Sequence, residues 1–236
     1  MQTYAGRTSH SRAEPPRLLA VSLTPSSTQE CFGSFLMMVL LFPFGSILGD
    51  TWAGWVQHFA AVLFIDWLTG GAQLNPSVSI AAIFFGWNDV PTAAVRIAGE
   101  FVGGCLSFPA MAMVLPPYVK LGGPVLGAGV STGEGAAWEF GLTFALLMVV
   151  LFAATQIGLP AQRPVIASGI RALIVLGGKT GPAMNPMIAA AWAMFAVPGW
   201  ATPEHFLVYW AAPTAGAILA VLIFKALEPK KKAKKD

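Results

Sequence analysis

Twice in this chain an Asn-Pro pair opens an apolar stretch too short to cross a membrane. The first stretch is TGGAQLNPSVSIAAIFF, Thr69 to Phe85, and the second is TGPAMNPMIAAAWA, Thr180 to Ala193. Asparagine is among the strongest helix N-caps, and proline at the first helical position gives up no needed hydrogen bond. Asn75-Pro76 and Asn185-Pro186 are therefore each expected to start a helix of about two or three turns, ending near Trp87 and near Pro198.

The surroundings make those short helices re-entrant. Longer apolar runs lie near residues 31–49, 52–68, 93–115, 136–157, 165–178 and 205–226, approaching the ~20 residues that span hydrocarbon. They are continuously apolar rather than alternating, which predicts helices and not a barrel. The fifth is short and contains Arg171. The first begins after residue 30 and others follow it, so it reads as an anchor rather than a cleaved signal peptide. Composition agrees, because only 11% of the residues are charged and mean hydropathy is +0.66. A soluble domain carries about 25% charge, so this chain cannot cover itself with a water-facing surface.

The two halves repeat. ECFGSFLMMVLLF from Glu30 matches EFGLTFALLMVVLF from Glu139, pairing Ser34 with Thr143 and Phe35 with Phe144. The two Asn-Pro pairs are 110 positions apart, with Gly71 and Gly181 aligned before them, and Gly103 and Gly216 mark the third span of each half. Three spans per copy is an odd number, so the second copy must enter the membrane inverted. The expected fold is an all-α membrane protein of six transmembrane helices plus two re-entrant half-helices. Repeat one covers about 28–115 and repeat two about 134–226, within a domain 28–228 flanked by segments 1–27 and 229–236.

Inverted repeats place a site where interrupted helices meet near the bilayer midplane. The two half-helices come from opposite faces and meet by their N-termini. The peptides Gly70 to Leu74 and Gly181 to Met184 can line a passage with carbonyls, and the Asn75 and Asn185 amides face its middle. A small neutral molecule can accept from the amides and donate to the carbonyls, whereas a cation meets two positive helix ends. Glu30 and Glu139 are expensive within a membrane and need donors. They are expected to tie down backbone amides of the neighbouring re-entrant loop, the alternative being a proton-coupling role. Glu100 and Arg171 are read either as an intramembrane pair or as partners of loop backbone.

Nothing in the sequence argues for catalysis or a cofactor. His10, His58 and His205 make no metal-ligand spacing with one another or with Cys31 and Cys105, whose expected role is packing. Arg7, Arg12 and Arg17 precede the first span, and Lys230, Lys231, Lys232, Lys234 and Lys235 follow the last. With six spans both termini share one side, and the positive-inside rule makes it cytosolic; Arg163 agrees, while Lys120 and Lys179 fall outside. The basic tail contains no element that would read nucleic acid.

The paired Asn-Pro boxes, the paired Glu-x-x-x-(Ser/Thr)-Phe helix starts and TGGAQLNPSVS resemble the aquaporin (major intrinsic protein) family over roughly residues 28 to 226. TGPAMNP, HFLVYWAAPTAGAILAVLIFKAL and the lysine-rich end are most similar to the small basic intrinsic proteins of plants and algae. The resemblance implies one pore per subunit, a homotetramer in lipid, and passage of water or small neutral solutes. The family's usual Asn-Pro-Ala boxes are here Asn75-Pro76-Ser77 and Asn185-Pro186-Met187. Carrying over the family's outer filter by counting from the boxes gives Trp55, Leu173, Pro182 and Ile188. The last is usually arginine and the second often histidine, so this filter is expected to be apolar. Competing expectations are a proton-coupled transporter using Glu30, Glu100 or Glu139, and a closed-pore scaffold. Lys234 and Lys232 stand third and fifth from the C-terminus, resembling a dilysine signal for return to the endoplasmic reticulum.

Overall fold

The computed structural model describes residues 27–116, 119, 121–158 and 160–227, so the terminal arginines, Lys120, Lys232 and Lys234 lie outside the described residues. Within them the chain forms α1 (Ser27–Leu48), α2 (Trp52–Thr69), α3 (Pro76–Phe85), α4 (Val90–Val114), α5 (Thr132–Gln156), α6 (Gln162–Leu176) and α7 (Pro186–Ala196). The last helix, α8 (Pro203–Leu227), contains a π-helical turn at Leu207–Ala211. Six spans and two half-helices thus follow in the order of an inverted repeat, α1 to α4 and then α5 to α8.

Local chemistry sets the helix starts. Thr51, Asn75, Asp89, Ser131, Asn185 and Thr202 each cap a helix with a side-chain oxygen, accepting backbone N–H groups that would otherwise lack a partner. Pro76 and Pro186 follow their caps at the first turn. Gly70 and Gly86 close α2 and α3 with left-handed backbone.

Four of these helices, α1, α4, α5 and α8, are long and apolar enough to cross a membrane by length and composition. The other two spans, α2 and α6, carry the polar side chains Gln57, His58, Asp66, Arg163 and Arg171. Of these, Gln57, Asp66, Arg163 and Arg171 are met by neighbouring elements instead of lipid. Arg163 pairs with Asp66 at 2.5 Å, Arg171 with Asp50 at 3.0 Å, and Gln57 Nε2 donates to Leu40 O. Large apolar side chains such as Trp52, Leu106 and Met113 are exposed on the outside, where a bilayer would receive them.

The helices pair closely at glycines. A Cβ at Gly103 would lie 2.0 Å from the carbonyl oxygen of Cys31, and one at Gly216 would lie 2.2 Å from that of Phe140. These contacts seat α4 on α1 and α8 on α5 at equivalent places in the two repeats. Each half-helix then packs on the third span of the other repeat, α3 on α8 and α7 on α4. Ser77 Oγ meets Thr214 Oγ1 at 3.0 Å, and Met187 Sδ occupies the space that a Cβ at Gly104 would need.

Candidate functional site

The two loops that precede the half-helices are built alike. Leu74 and Met184, each just before its asparagine, have φ of 56° and 49°. Left-handed backbone is costly for residues with side chains, and here it is held from both sides. Leu74 N donates to Glu30 Oε2 at 2.9 Å and Gln73 N to Glu30 Oε1 at 3.1 Å. In the second repeat Met184 N donates to Glu139 Oε2 at 2.8 Å and Ala183 N to Glu139 Oε1 at 3.2 Å.

The carbonyls of the same two residues receive the opposite asparagines. Asn75 Nδ2 donates to Met184 O at 3.0 Å, and Asn185 Nδ2 donates to Leu74 O at 2.7 Å. Each Oδ1 caps its own half-helix, Asn75 accepting from Ser77 N and Asn185 from Met187 N and Ile188 N. An amide nitrogen carries two protons, so one remains on each asparagine after the crossed bond.

The carboxylates differ in their third partner. Glu30 is paired with the guanidinium of Arg96 on α4. Glu139 instead accepts from the Thr180 hydroxyl at 2.7 Å, and Tyr209 donates to Thr180 O at 2.6 Å. Applying the offset between Gly103 and Gly216 to Arg96 gives Tyr209, so equivalent positions hold an ionic support in one repeat and a neutral one in the other. Glu100 lies fully buried and accepts from Ser79 Oγ at 2.7 Å. Arg171 donates to Gly49 O and Asp50. The two do not pair; of the alternatives read from the sequence, Arg171 takes the loop backbone. Glu100 sits on α4 against α3, while Arg171 reaches the α1–α2 link, so each is met by its own neighbours.

A cavity of about 570 Å³ follows α2 from Gly49 and Asp50 at one end to Asp66 and Arg163 at the other. At 1.5 Å per residue that path is roughly 24 Å. Gly71 to Asn75 and Gly181 to Asn185 line its middle, so both asparagines and both backbone loops face it. Pro76, Ser77, Pro186 and Met187 do not line it; they pack sideways into the helix contacts. Of the four counted filter positions, Pro182 and Ile188 line the cavity, whereas Trp55 and Leu173 do not. Trp55 lies beside the guanidinium of Arg171, whose Cζ is 5.9 Å from the ring centroid. Leu173 packs against the core around Leu142 and Leu146. His58, Ile170, Arg171 and Ile174 contribute wall instead.

Arg96, Tyr209 and Thr180 are structural partners that the sequence reading left out. Their signal was positional, since Arg96 and Tyr209 occupy equivalent places in the two repeats. Among the described residues no cluster of His, Cys, Asp and Glu could hold a metal, and Cys31 and Cys105 are free thiols.

The chain is similar to known proteins in sequence and fold. The family model described as major intrinsic protein matches residues 23–224. Aquaporin SIP1-1 of Arabidopsis thaliana is 33% identical over 207 residues, which is 81% of this chain and 85% of that protein. Aquaporin SIP1-2 of Zea mays is 35% identical over 181 residues, or 70% of this chain and 72% of its own length. The X-ray structure of the aquaglyceroporin from Plasmodium falciparum superimposes with a TM-score of 0.69 at 19% identity, covering 87% of this chain and 97% of that one.

Proposed function

The chain belongs to the major intrinsic protein family, and from that premise we propose that it is a passive channel for water and small neutral solutes. It is an integral membrane protein of the small basic intrinsic type. The observation that carries the channel reading is the cavity running past Asn75 and Asn185 between two half-helix N-termini. A neutral molecule there finds amide donors and a ladder of carbonyl acceptors. A bare cation faces two positive helix ends and loses its hydration.

A proton-coupled transporter fits less well. Glu30 and Glu139 are held by backbone amides, Glu100 by Ser79, and none of the three lines the cavity. Beyond the asparagines, Pro182 and Ile188 present apolar surface to the passage, which offers water few hydrogen bonds and slows it per pore. The outward apolar faces suit lipid and a homotetramer, with one pore in each subunit. Arg163 and the basic termini support a topology with both chain ends in the cytosol. The dilysine spacing at Lys232 and Lys234 supports residence in the endoplasmic reticulum membrane.

Purified protein in proteoliposomes tests the reading by stopped-flow swelling with water, glycerol, urea and hydrogen peroxide. Solute entry above that of empty vesicles, unchanged by an imposed proton gradient, is the expected result. Entry that requires the gradient would identify a coupled transporter instead.

A further inference from the structure

We propose that the Gln73 carboxamide is a solute-binding group in the passage, and that Glu100, buried as a neutral acid, holds it there through Ser79. The proposal rests on the channel reading and adds to it a donor that belongs to the first repeat alone.

Gln73 lines the cavity two residues before Asn75. Its backbone N–H donates to Glu30 Oε1 at 3.1 Å. Its side-chain Oε1 meets Asn88 Nδ2 at 3.0 Å and Ser79 Oγ at 2.8 Å. The side-chain Nε2 makes no hydrogen bond among the described residues, yet it is not one of the unpartnered atoms that packing has sealed off. It therefore keeps accessible surface on a residue that lines the passage, with two protons for a solute's acceptor oxygen. Asn88 sets this orientation. Turning the Gln73 carboxamide over would put two NH2 groups 3.0 Å apart.

Ser79 carries one hydroxyl proton and has two oxygens within reach, Gln73 Oε1 and Glu100 Oε1, the latter at 2.7 Å. An ionised Glu100 would draw that proton into the stronger, charge-assisted bond and leave Ser79 and Gln73 with facing lone pairs. A neutral Glu100 satisfies both contacts. Its own proton goes to Ser79 Oγ, reversing the sense of that bond, and the Ser79 proton goes to Gln73. Charge counting agrees. Glu100 is 0% exposed, and its Oε2 has no hydrogen-bond partner among the described residues. The guanidinium of Arg96, one turn earlier on α4, already pairs with Glu30. A second carboxylate there would be an uncompensated buried charge. The proton is held and not moved, because the chain of bonds ends at an amide oxygen.

The duplication shows that the fold does not require this set. The second repeat builds its loop, half-helix and third span with Ala183, Ala189 and Pro213 where the first has Gln73, Ser79 and Glu100. The polar chain is thus an addition to one side of the passage.

Infrared spectra and flux assays on the full chain in proteoliposomes test this. At neutral pH the parent should show a protonated-carboxyl carbonyl stretch that Glu100→Gln removes. Gln73→Leu and Ser79→Ala should each lower water and glycerol flux about threefold, the loss of one hydrogen bond to the solute. The double variant should fall no further than the single ones, because both act on the same amide. Glu100→Leu should lower flux as Ser79→Ala does, since a helical serine freed of its partner turns back to the carbonyl one turn earlier. Glu100→Gln, which can donate from its own amide, should restore the flux. If Glu100→Leu does not assemble, Ser79→Ala and the infrared band decide. A spectrum that Glu100→Gln leaves unchanged, or failure of that variant to assemble, overturns the proposal. So does Gln73→Leu or Ser79→Ala with the parent's flux. A parent that passes no neutral solute refutes the channel reading instead and leaves the infrared result standing.

Discussion

The side-chain amide of Asn185 donates to the main-chain carbonyl of Leu74 across 2.7 Å, joining residues 111 positions apart. Its counterpart runs from Asn75 to Met184. Each half-helix therefore caps itself with one end of its asparagine and holds the opposite loop with the other. An aspartate can still cap, but it cannot donate, and its charge faces a carbonyl. Asn75→Asp and Asn185→Asp should each reduce neutral-solute flux by about tenfold or more, or else admit cations. If both variants conduct like the parent and stay ion-tight in stopped-flow and sodium-entry assays, the asparagines do not form the constriction.

The two carboxylates should respond unequally to neutralisation. Glu30→Gln removes one partner of an ion pair whose side chains are only 1% and 11% exposed, a change that costs about 3–5 kcal/mol. Glu139→Gln leaves only neutral donors, so about 1–3 kcal/mol is expected. Thermal unfolding in detergent should therefore place Glu30→Gln well below Glu139→Gln. Equal losses would mean that the Arg96 pair adds nothing.

Met184 tests whether backbone strain or burial dominates in the loop. Glycine would relieve the left-handed conformation by about 1–2 kcal/mol. It would also remove a side chain that is 3% exposed, and truncating such a side chain costs about 2–5 kcal/mol. Burial should win, so Met184→Gly should unfold at a lower temperature than the parent. A higher unfolding temperature would show that strain is the larger effect.

Close helix contacts predict a contrast among glycines. Gly103→Ala and Gly216→Ala drive a Cβ into backbone carbonyls, which no side-chain rotation can relieve, and should each cost about 3 kcal/mol or more. Gly141 on α5 has nothing within 4 Å of an added Cβ. Gly141→Ala should instead gain up to about 1 kcal/mol from helix propensity. The order of detergent unfolding temperatures checks all three at once.

The tail makes a cellular prediction. Changing Lys232 and Lys234 to Ser keeps Lys230, Lys231 and Lys235, so most of the basic charge survives. The tagged variant should leave the endoplasmic reticulum for later compartments. An unchanged distribution by fluorescence microscopy excludes retrieval through this pair.

Much of the architecture was legible because it is local. Asn-Pro starts a helix by its own chemistry, and long uncharged runs need no partner to be read as spans. The duplication supplied the inversion. What escaped was rotation about a helix axis. Counting from the boxes selected Leu173, but successive helical residues are about 100° apart, so Ile174 and Ile170 face the cavity while Leu173 turns into the core. Trp55 does not line the wall, whereas His58, one turn further along α2, does. Pairings over long sequence distances were equally hidden. Glu30 meets Arg96 across 66 positions, and Arg171 meets Gly49 across 122, separations on which periodicity is silent.

The crossed bonds between the two loops also set a timetable for synthesis. Leu74 and Asn75 leave the ribosome long before Met184 and Asn185, which follow 110 residues later. At about 5–20 residues per second, the first loop waits roughly 5 to 20 seconds for its only matching carbonyl and amide. During that interval α8, which α3 packs against, is also still unmade. Until the second repeat is made, the Asn75 amide lacks the Met184 carbonyl that receives it, and the first repeat cannot adopt its final packing.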